Sequence, residues 1–141
     1  VVGACRSVFS VVVPEGRCVG VVVVENNRAS WLEMDRGEVA LGGTLPPAAR
    51  WNFFGGRLAL RRALDAPAPA ILRSGDGAPV LPRGVAGSIS HKRKLAVALA
   101  NSHDADAAVG VDLEIAEASN RRLAARILTP SEIRDLDKLK S

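Results

Sequence analysis

Two valine-rich runs constrain the fold of this 141-residue chain more than any other feature. They cover residues 7–13 and 17–25, and Pro14-Glu15-Gly16 separates them. Because β-branched residues favour strands and a short proline–glycine break favours a turn, the pattern predicts a β-hairpin. Both runs are far shorter than the ~20 apolar residues of a membrane-spanning helix. We therefore expect no membrane span.

A long helix is predicted next, beginning near Pro47 and ending at about Leu64, before the prolines of residues 65–69, which cannot continue a helix. Residues 73–86 are rich in glycine and proline and are expected to form a surface loop. Further strands are predicted at residues 88–91, 95–101 and 107–115.

Two helices are expected near the end of the chain. Ser119 is a candidate N-cap for a helix that runs to about Ile127. Thr129 is a second candidate N-cap, with Pro130 at the first helical position and Glu132 at the third.

Composition limits the classes of partner. The chain is 48% hydrophobic and 24% charged, as globular proteins are, and its net charge of +4 suits an anionic partner. It has three Phe, two Trp and no Tyr, so a base-stacking surface would be hard to build. A small basic nucleic-acid-binding protein is an alternative from another class, but we expect no nucleic acid.

The two cysteines, Cys5 and Cys18, lack the spacing of a zinc site. A disulfide between neighbouring strands is one interpretation. A reduced protein of the cytoplasm is the simpler one, and we expect that location.

Two short strings carry the candidate chemistry: GSISH at residues 87–91 and GVDLE at residues 110–114. In the second, Asp112 and Glu114 would share one face of a strand, because side chains alternate. This pattern is typical of a half-buried edge strand, and it also suits a Mg²⁺ site completed by phosphate oxygens. In the first, Ser90 and His91 offer a hydroxyl and an imidazole. A lone histidine at a strand end is often structural.

Three arginines, Arg50, Arg57 and Arg61, fall on one side of the predicted helix. Like charges so arranged repel unless an anion lies over them, and the guanidinium fork suits phosphate. The alternative is a solvated basic face. Together, the small polar groups of GSISH and the carboxylate pair favour a phosphorylated ligand held through a divalent cation.

Taken in order, these motifs resemble the 4′-phosphopantetheinyl transferases, above all the larger two-lobed members that act on siderophore, polyketide and peptide synthetases. The resemblance covers residues from about 46 to 136. It rests on Arg50-x-x-Phe53-x-x-Gly56-Arg57-x-x-x-Arg61, Gly77-x-Pro79-x-x-Pro82, GSISH, GVDLE and Ile127-Leu128-Thr129-Pro130-Ser131-Glu132.

The resemblance implies an α+β fold, an antiparallel sheet with a packed helix. Residues 1–105 would form a first lobe, and residues 106–141 would begin a pseudo-symmetric second one. It also implies an enzyme that moves the phosphopantetheine arm of coenzyme A, with Mg²⁺, to a serine of an acyl, peptidyl or aryl carrier protein.

Site roles follow from the same resemblance. Asp112 and Glu114 would hold Mg²⁺ and serve catalysis. Ser90 and His91 would lie at the adenosine end of coenzyme A, with His91 near the 3′-phosphate. Arg61 matches a family arginine near the nucleotide, and Arg50 and Arg57 are looser helpers.

One departure concerns a later family helix that carries a Lys-Glu pair, which these 141 residues lack. One interpretation is a fragment whose reading frame continues beyond Ser141. The other is a non-catalytic coenzyme A or nucleotide-binding module with the same fold.

Overall fold

The computed structural model describes residues 5–23, 33–64, 68–104, 106–115 and 125–138, and the fold is α+β, as predicted. A four-stranded antiparallel sheet has the order β1-β2-β4-β3, and a long helix packs on it. The strands are β1 (Cys5–Val13), β2 (Gly16–Val23), β3 (Ala86–Lys92) and β4 (Leu95–Asn101), and the helices are α1 (Arg36–Gly43), α2 (Pro47–Leu64) and α3 (Pro130–Lys138).

The predicted hairpin is confirmed as β1 and β2, joined at Pro14 and Glu15. The first residue of β2, Gly16, has a φ of 143° and lies against the carbonyl of Ala100, where a side chain would collide with backbone. Only glycine suits that position.

The predicted alternative of a disulfide is wrong. Cys5 pairs with Val23 and Cys18 pairs with Val11 across the hairpin. Cys18 and Val23 are five positions apart along β2, roughly 17 Å at ~3.3 Å per residue, whereas bridged cysteines have Cα atoms within about 7 Å. Cys18 is a free thiol, and burial raises its pKa.

Helix α2 has the predicted bounds, Pro47–Leu64, and forms the core with the sheet. Small residues bring the two layers close together: Gly55 lies over Val23, and Gly56 lies over Ile89. The main core cluster contains Val19, Val21, Ala59, Leu60, Ala63, Ile71, Ala96, Ala98 and Ala100. Helix α2 therefore covers one face of the sheet, and a ligand that approaches β3 from that face must lie beside the helix.

Two elements differ from the sequence predictions. Residues 107–115 are not a strand of the sheet, although their alternating pattern predicts one. Helix α1 was not predicted, yet Asp35 caps it through a capping box with Glu38.

Helix α3 begins as predicted, with Glu132 Oε2 accepting from the backbone N–H of Thr129 at 2.7 Å. Most of the helix predicted from Ser119 lies outside the described residues, and residues 125–127 form one helical turn. No helix among the described residues is long and apolar enough to cross a membrane.

Candidate functional site

The two faces of β3 present different side chains. Ile89 and His91 point toward α2, since Ile89 packs against Gly56. Ser88 and Ser90 point to the opposite face, because side chains alternate along a strand. The structure therefore places the predicted neighbours Ser90 and His91 on opposite sides of one strand.

Serine hydroxyls of β3 bind the segment that carries the carboxylates. Ser88 Oγ accepts from the backbone N–H of Val111 at 3.1 Å, and Ser90 Oγ accepts from Leu113 N–H at 3.1 Å. Ser90 Oγ in turn donates to Asp112 Oδ1 at 2.9 Å. The segment therefore binds β3 through serine hydroxyls and not through the main-chain groups of β3. Residues 107–115 accordingly do not extend the sheet.

Asp112 and Glu114 lie beside the end of β3. Glu114 Oε2 forms an ion pair with Lys92 Nζ at 2.9 Å, and both carboxylates are exposed. Within the described residues no three His, Cys, Asp or Glu side chains cluster around a potential metal position. Two carboxylates nevertheless suit Mg²⁺, which takes one or two protein carboxylates and completes its shell with water and phosphate oxygens. They do not suit a fully enclosed structural zinc site.

A cavity of about 330 Å³ opens on the other side of β3, between α2 and the 73–79 loop. Three basic side chains reach it: Arg57 from α2, Arg73 from the loop and His91 from β3. The remaining lining residues are Leu45, Ala49, Asn52, Phe53, Gly56, Gly77, Pro79 and Ile89. The cavity thus combines apolar walls with positive charge, which is the composition of a site for an anionic ligand with an apolar or aromatic part.

Arg57 is a buried cation, with 5% of its surface exposed. Its Nε donates to the carbonyl of Ile71 at 2.6 Å and its Nη2 to that of Leu72 at 3.1 Å. Its guanidinium also lies 4.6 Å from the centre of the Phe53 ring. The pKa of Arg57 is lowered overall, chiefly by burial. Nearby Glu38 acts in the opposite direction, and the like charge of Arg73 lowers the pKa further.

Arg73 is a cavity residue that the sequence motifs did not identify. It lies in the loop predicted from glycine and proline content, and an isolated bridge pairs it with Pro79. That bridge turns residues 73–79 back upon themselves and brings the arginine to the cavity. A cation close to the Gly77-x-Pro79 motif was the signal that could have identified it.

Arg61 is held by the protein itself. Its Nε donates to Glu38 Oε2 at 3.0 Å, and Nη1 and Nη2 donate to the carbonyls of Ala68 and Pro69 at 2.9 and 3.0 Å. Glu38, fully buried, also accepts from the backbone N–H of Ile71 at 2.9 Å. The pair therefore ties α1, α2 and the loop together, and this geometry gives Arg61 a structural role.

Arg50 also contacts backbone, since its Nη2 donates to the carbonyls of Gly43 at 3.1 Å and Leu45 at 3.2 Å. None of the three arginines lies on a solvated basic face, so that alternative is wrong. The structure brings Arg57 and His91 together at the cavity, and Ser90, Asp112 and Glu114 together on the other side. It brings Arg50 and Arg61 to neither, and their predicted contact with coenzyme A stays a prediction.

Comparison with known families fits this architecture. Residues 45–101 match the family model of the 4′-phosphopantetheinyl transferase N-terminal domain. The matched segment includes α2, the cavity loop, β3 and β4. No curated protein matches the chain at a significant level.

The match supports a transferase of the phosphopantetheinyl kind. Residues 45–101 are thus similar to the N-terminal domain of the 4′-phosphopantetheinyl transferases, the family that the sequence motifs indicated.

Proposed function

We propose that the chain binds coenzyme A for Mg²⁺-dependent transfer of its phosphopantetheine arm to a serine of a carrier protein. The observation that carries the proposal is the arrangement of two sets of charged side chains around β3. Basic side chains lie on one side of the strand, and carboxylates lie on the other. Coenzyme A has matching parts, because it carries a 3′-phosphate on the ribose and a pyrophosphate a short distance away.

The 3′-phosphate fits the cavity. Burial is the main cause of the lowered pKa of Arg57, and the like charge of Arg73 contributes to it. A doubly charged phosphate would relieve the repulsion between the two arginines. His91 adds a third polar group on the β3 side.

The pyrophosphate then lies beside Asp112 and Glu114. Among the described residues β3 pairs only with β4, so its other edge is not covered by a strand. A bent ligand can pass around that edge from the cavity to the carboxylates.

The chemistry is an attack by the acceptor serine hydroxyl on the β-phosphorus of coenzyme A. A new P–O bond forms, the bond to the departing adenosine 3′,5′-bisphosphate breaks, and the proton of the serine hydroxyl passes to water. Mg²⁺, when bound, supplies positive charge at the pyrophosphate. Asp112 and Glu114 would hold it, and the hydrogen bond from Ser90 fixes the orientation of Asp112.

A second candidate is a coenzyme A-binding module without transfer activity. It is favoured by one observation: within the described residues no third acidic, cysteine or histidine side chain joins Asp112 and Glu114 in a potential metal site. Transfer activity separates the two candidates, whereas coenzyme A binding is expected from both.

Binding is tested by calorimetry with coenzyme A and with dephospho-coenzyme A, which lacks the 3′-phosphate. Arg73→Ala should weaken coenzyme A binding about 10- to 100-fold, as expected for a hydrogen bond to a charged group of ~1.5–3 kcal/mol. Binding of dephospho-coenzyme A should change little. Arg83→Ala, which removes an exposed arginine outside the cavity, is the matched control. Equal loss for both ligands would contradict the assignment of the 3′-phosphate to the cavity.

Transfer is tested by mass spectrometry of an apo carrier protein incubated with coenzyme A and Mg²⁺. Asp112→Asn keeps the side-chain shape but removes the charge, and it should lower transfer by orders of magnitude, about 3–4 kcal/mol of transition-state stabilisation. Coenzyme A binding should persist in this variant. Labelling at the wild-type rate would remove Asp112 from the metal site.

A further inference from the structure

The hairpin between β3 and β4 ends in three consecutive basic residues, Lys92, Arg93 and Lys94. Lys92 forms the ion pair with Glu114. Arg93 is exposed and has no hydrogen bond or ion pair with any other residue that the structure describes. Arg93 thus presents a positive charge that no other residue described by the structure neutralises.

Arg93 adopts a left-handed backbone conformation, with a φ of 55°. Glycine or asparagine occupies such turn positions at lower cost, whereas a long side chain is disfavoured there. Residues that keep a disfavoured conformation cluster at functional sites. The conformation of Arg93 therefore favours a functional role for the hairpin tip.

A second cavity, of about 310 Å³, lies next to this tip. It is lined by Val23, Ala48, Trp51, Asn52, Arg93 and Lys94. The valine and the indole supply an apolar floor, and the two basic residues supply a cationic rim. An aromatic floor beside an arginine is a composition typical of the centre of a protein–protein interface.

We propose that this basic tip and its cavity dock an acidic segment of the protein whose serine is modified. The inference rests on the proposed function and adds the place where the acceptor protein binds. Arg93 directly follows Lys92, whose Nζ lies 2.9 Å from Glu114 Oε2, so the tip is adjacent to the segment that carries the carboxylate pair. The positive rim selects an acidic partner by charge complementarity. A single indole offers no platform for successive bases, which disfavours nucleic acid.

The test compares Arg93→Glu, Arg93→Gly and the control Arg83→Glu in the 141-residue chain. The probe is an apo peptidyl carrier protein of net negative charge, titrated in the presence of coenzyme A. Arg93→Glu should weaken carrier binding tenfold or more, and Arg83→Glu, which makes the same change of charge before the other end of β3, should change it less than twofold. Arg93→Gly should weaken binding while raising the melting temperature by a few degrees, because glycine removes the backbone strain. If Arg93 had only a structural role, the more stable Arg93→Gly variant would not bind the carrier protein more weakly.

Coenzyme A binding, measured separately, distinguishes the two proposals. Unchanged coenzyme A binding together with wild-type carrier binding by Arg93→Glu overturns the docking site and leaves the proposed function standing. Equal losses in Arg93→Glu and Arg83→Glu also overturn it, because they indicate a general charge effect. Binding of phosphatidylserine vesicles or duplex DNA that depends on Arg93, with no carrier binding, would replace the acidic protein by another partner.

Discussion

Removal of the Glu38 carboxylate should destabilise the protein more than any other loss of a single charge among the described ion pairs. The side chain is fully buried, and it accepts from Asp35 N–H at 2.8 Å, from Ile71 N–H at 2.9 Å and from Arg61. In Glu38→Ala, Arg61 keeps its two carbonyl partners but loses its counter-ion, with only 14% of its side chain exposed. Ile71 N–H, on a residue with no exposed surface, loses its acceptor as well.

The size of the effect follows from those two losses. Breaking a buried ion pair by removal of one partner costs about 3–5 kcal/mol. An unpaired buried amide costs roughly 1–3 kcal/mol, and part of that is already contained in the first figure. We expect Glu38→Ala to lower the free energy of unfolding by about 4 kcal/mol. That is a large fraction of the ~5–15 kcal/mol typical of a domain.

Urea unfolding followed by circular dichroism measures the change, and hydrogen exchange at the Ile71 amide reports it locally. The matched control is Glu33→Ala, which removes the exposed partner of Arg62 and should cost at most about 1 kcal/mol. Replacing both buried charges, Glu38→Leu with Arg61→Met, should recover only part of the loss, because Ile71 N–H still lacks an acceptor. A cost for Glu38→Ala as small as that of Glu33→Ala, or full recovery in the double variant, would refute the reasoning.

Two further predictions concern packing and pH. Gly55→Ala should destabilise the fold by about 1–2 kcal/mol, since the new methyl group overlaps Val23. Gly43→Ala, with open space around the new methyl group, should stabilise α1 by up to ~1 kcal/mol. Thermal melting of both variants checks these two changes. Hydrogen bonds from the Thr129 N–H and hydroxyl lower the pKa of Glu132, so its stabilisation of α3 is present above the ordinary glutamate pKa and is lost as pH falls through the lowered value. An NMR titration of the Thr129 amide should show this loss, and Glu132→Gln should remove most of the pH dependence.

Helix α2 could be predicted to its terminal residues because its signals are local. Pro47 suits the first helical turn, and the prolines beyond Leu64 stop the helix. Helix α1 was missed because Gly37, Gly42 and Gly43 give it low intrinsic helix propensity. Its capping box, Asp35 with Glu38, was nevertheless present in the sequence.

The site was predictable in its residue types and not in its geometry. The alternating pattern around Asp112 and Glu114 predicted a strand. No residue pattern indicates that Ser88 and Ser90 bind backbone amides of this segment through their hydroxyls. The burial of Arg57 was equally hidden, because the acceptors for its guanidinium are loop carbonyls, which every residue carries. Side chain–to–backbone contacts over long sequence separation leave no pattern in residue type.

The contrast between the two halves of the site bears on how it would work. The cavity wall rests on a buried network, in which the Glu38–Arg61 pair fixes the loop whose carbonyls hold Arg57. The carboxylate segment is attached by partly buried and exposed hydrogen bonds of about 0.5–1.5 kcal/mol each and has no main-chain ladder with β3. On the proposed function, the phosphate end of the ligand therefore meets a preformed site, whereas Asp112 and Glu114 can adjust to metal and pyrophosphate at low cost. Glu38→Gln should consequently weaken coenzyme A binding through the loop, and Asp112→Asn should leave that binding intact while lowering transfer.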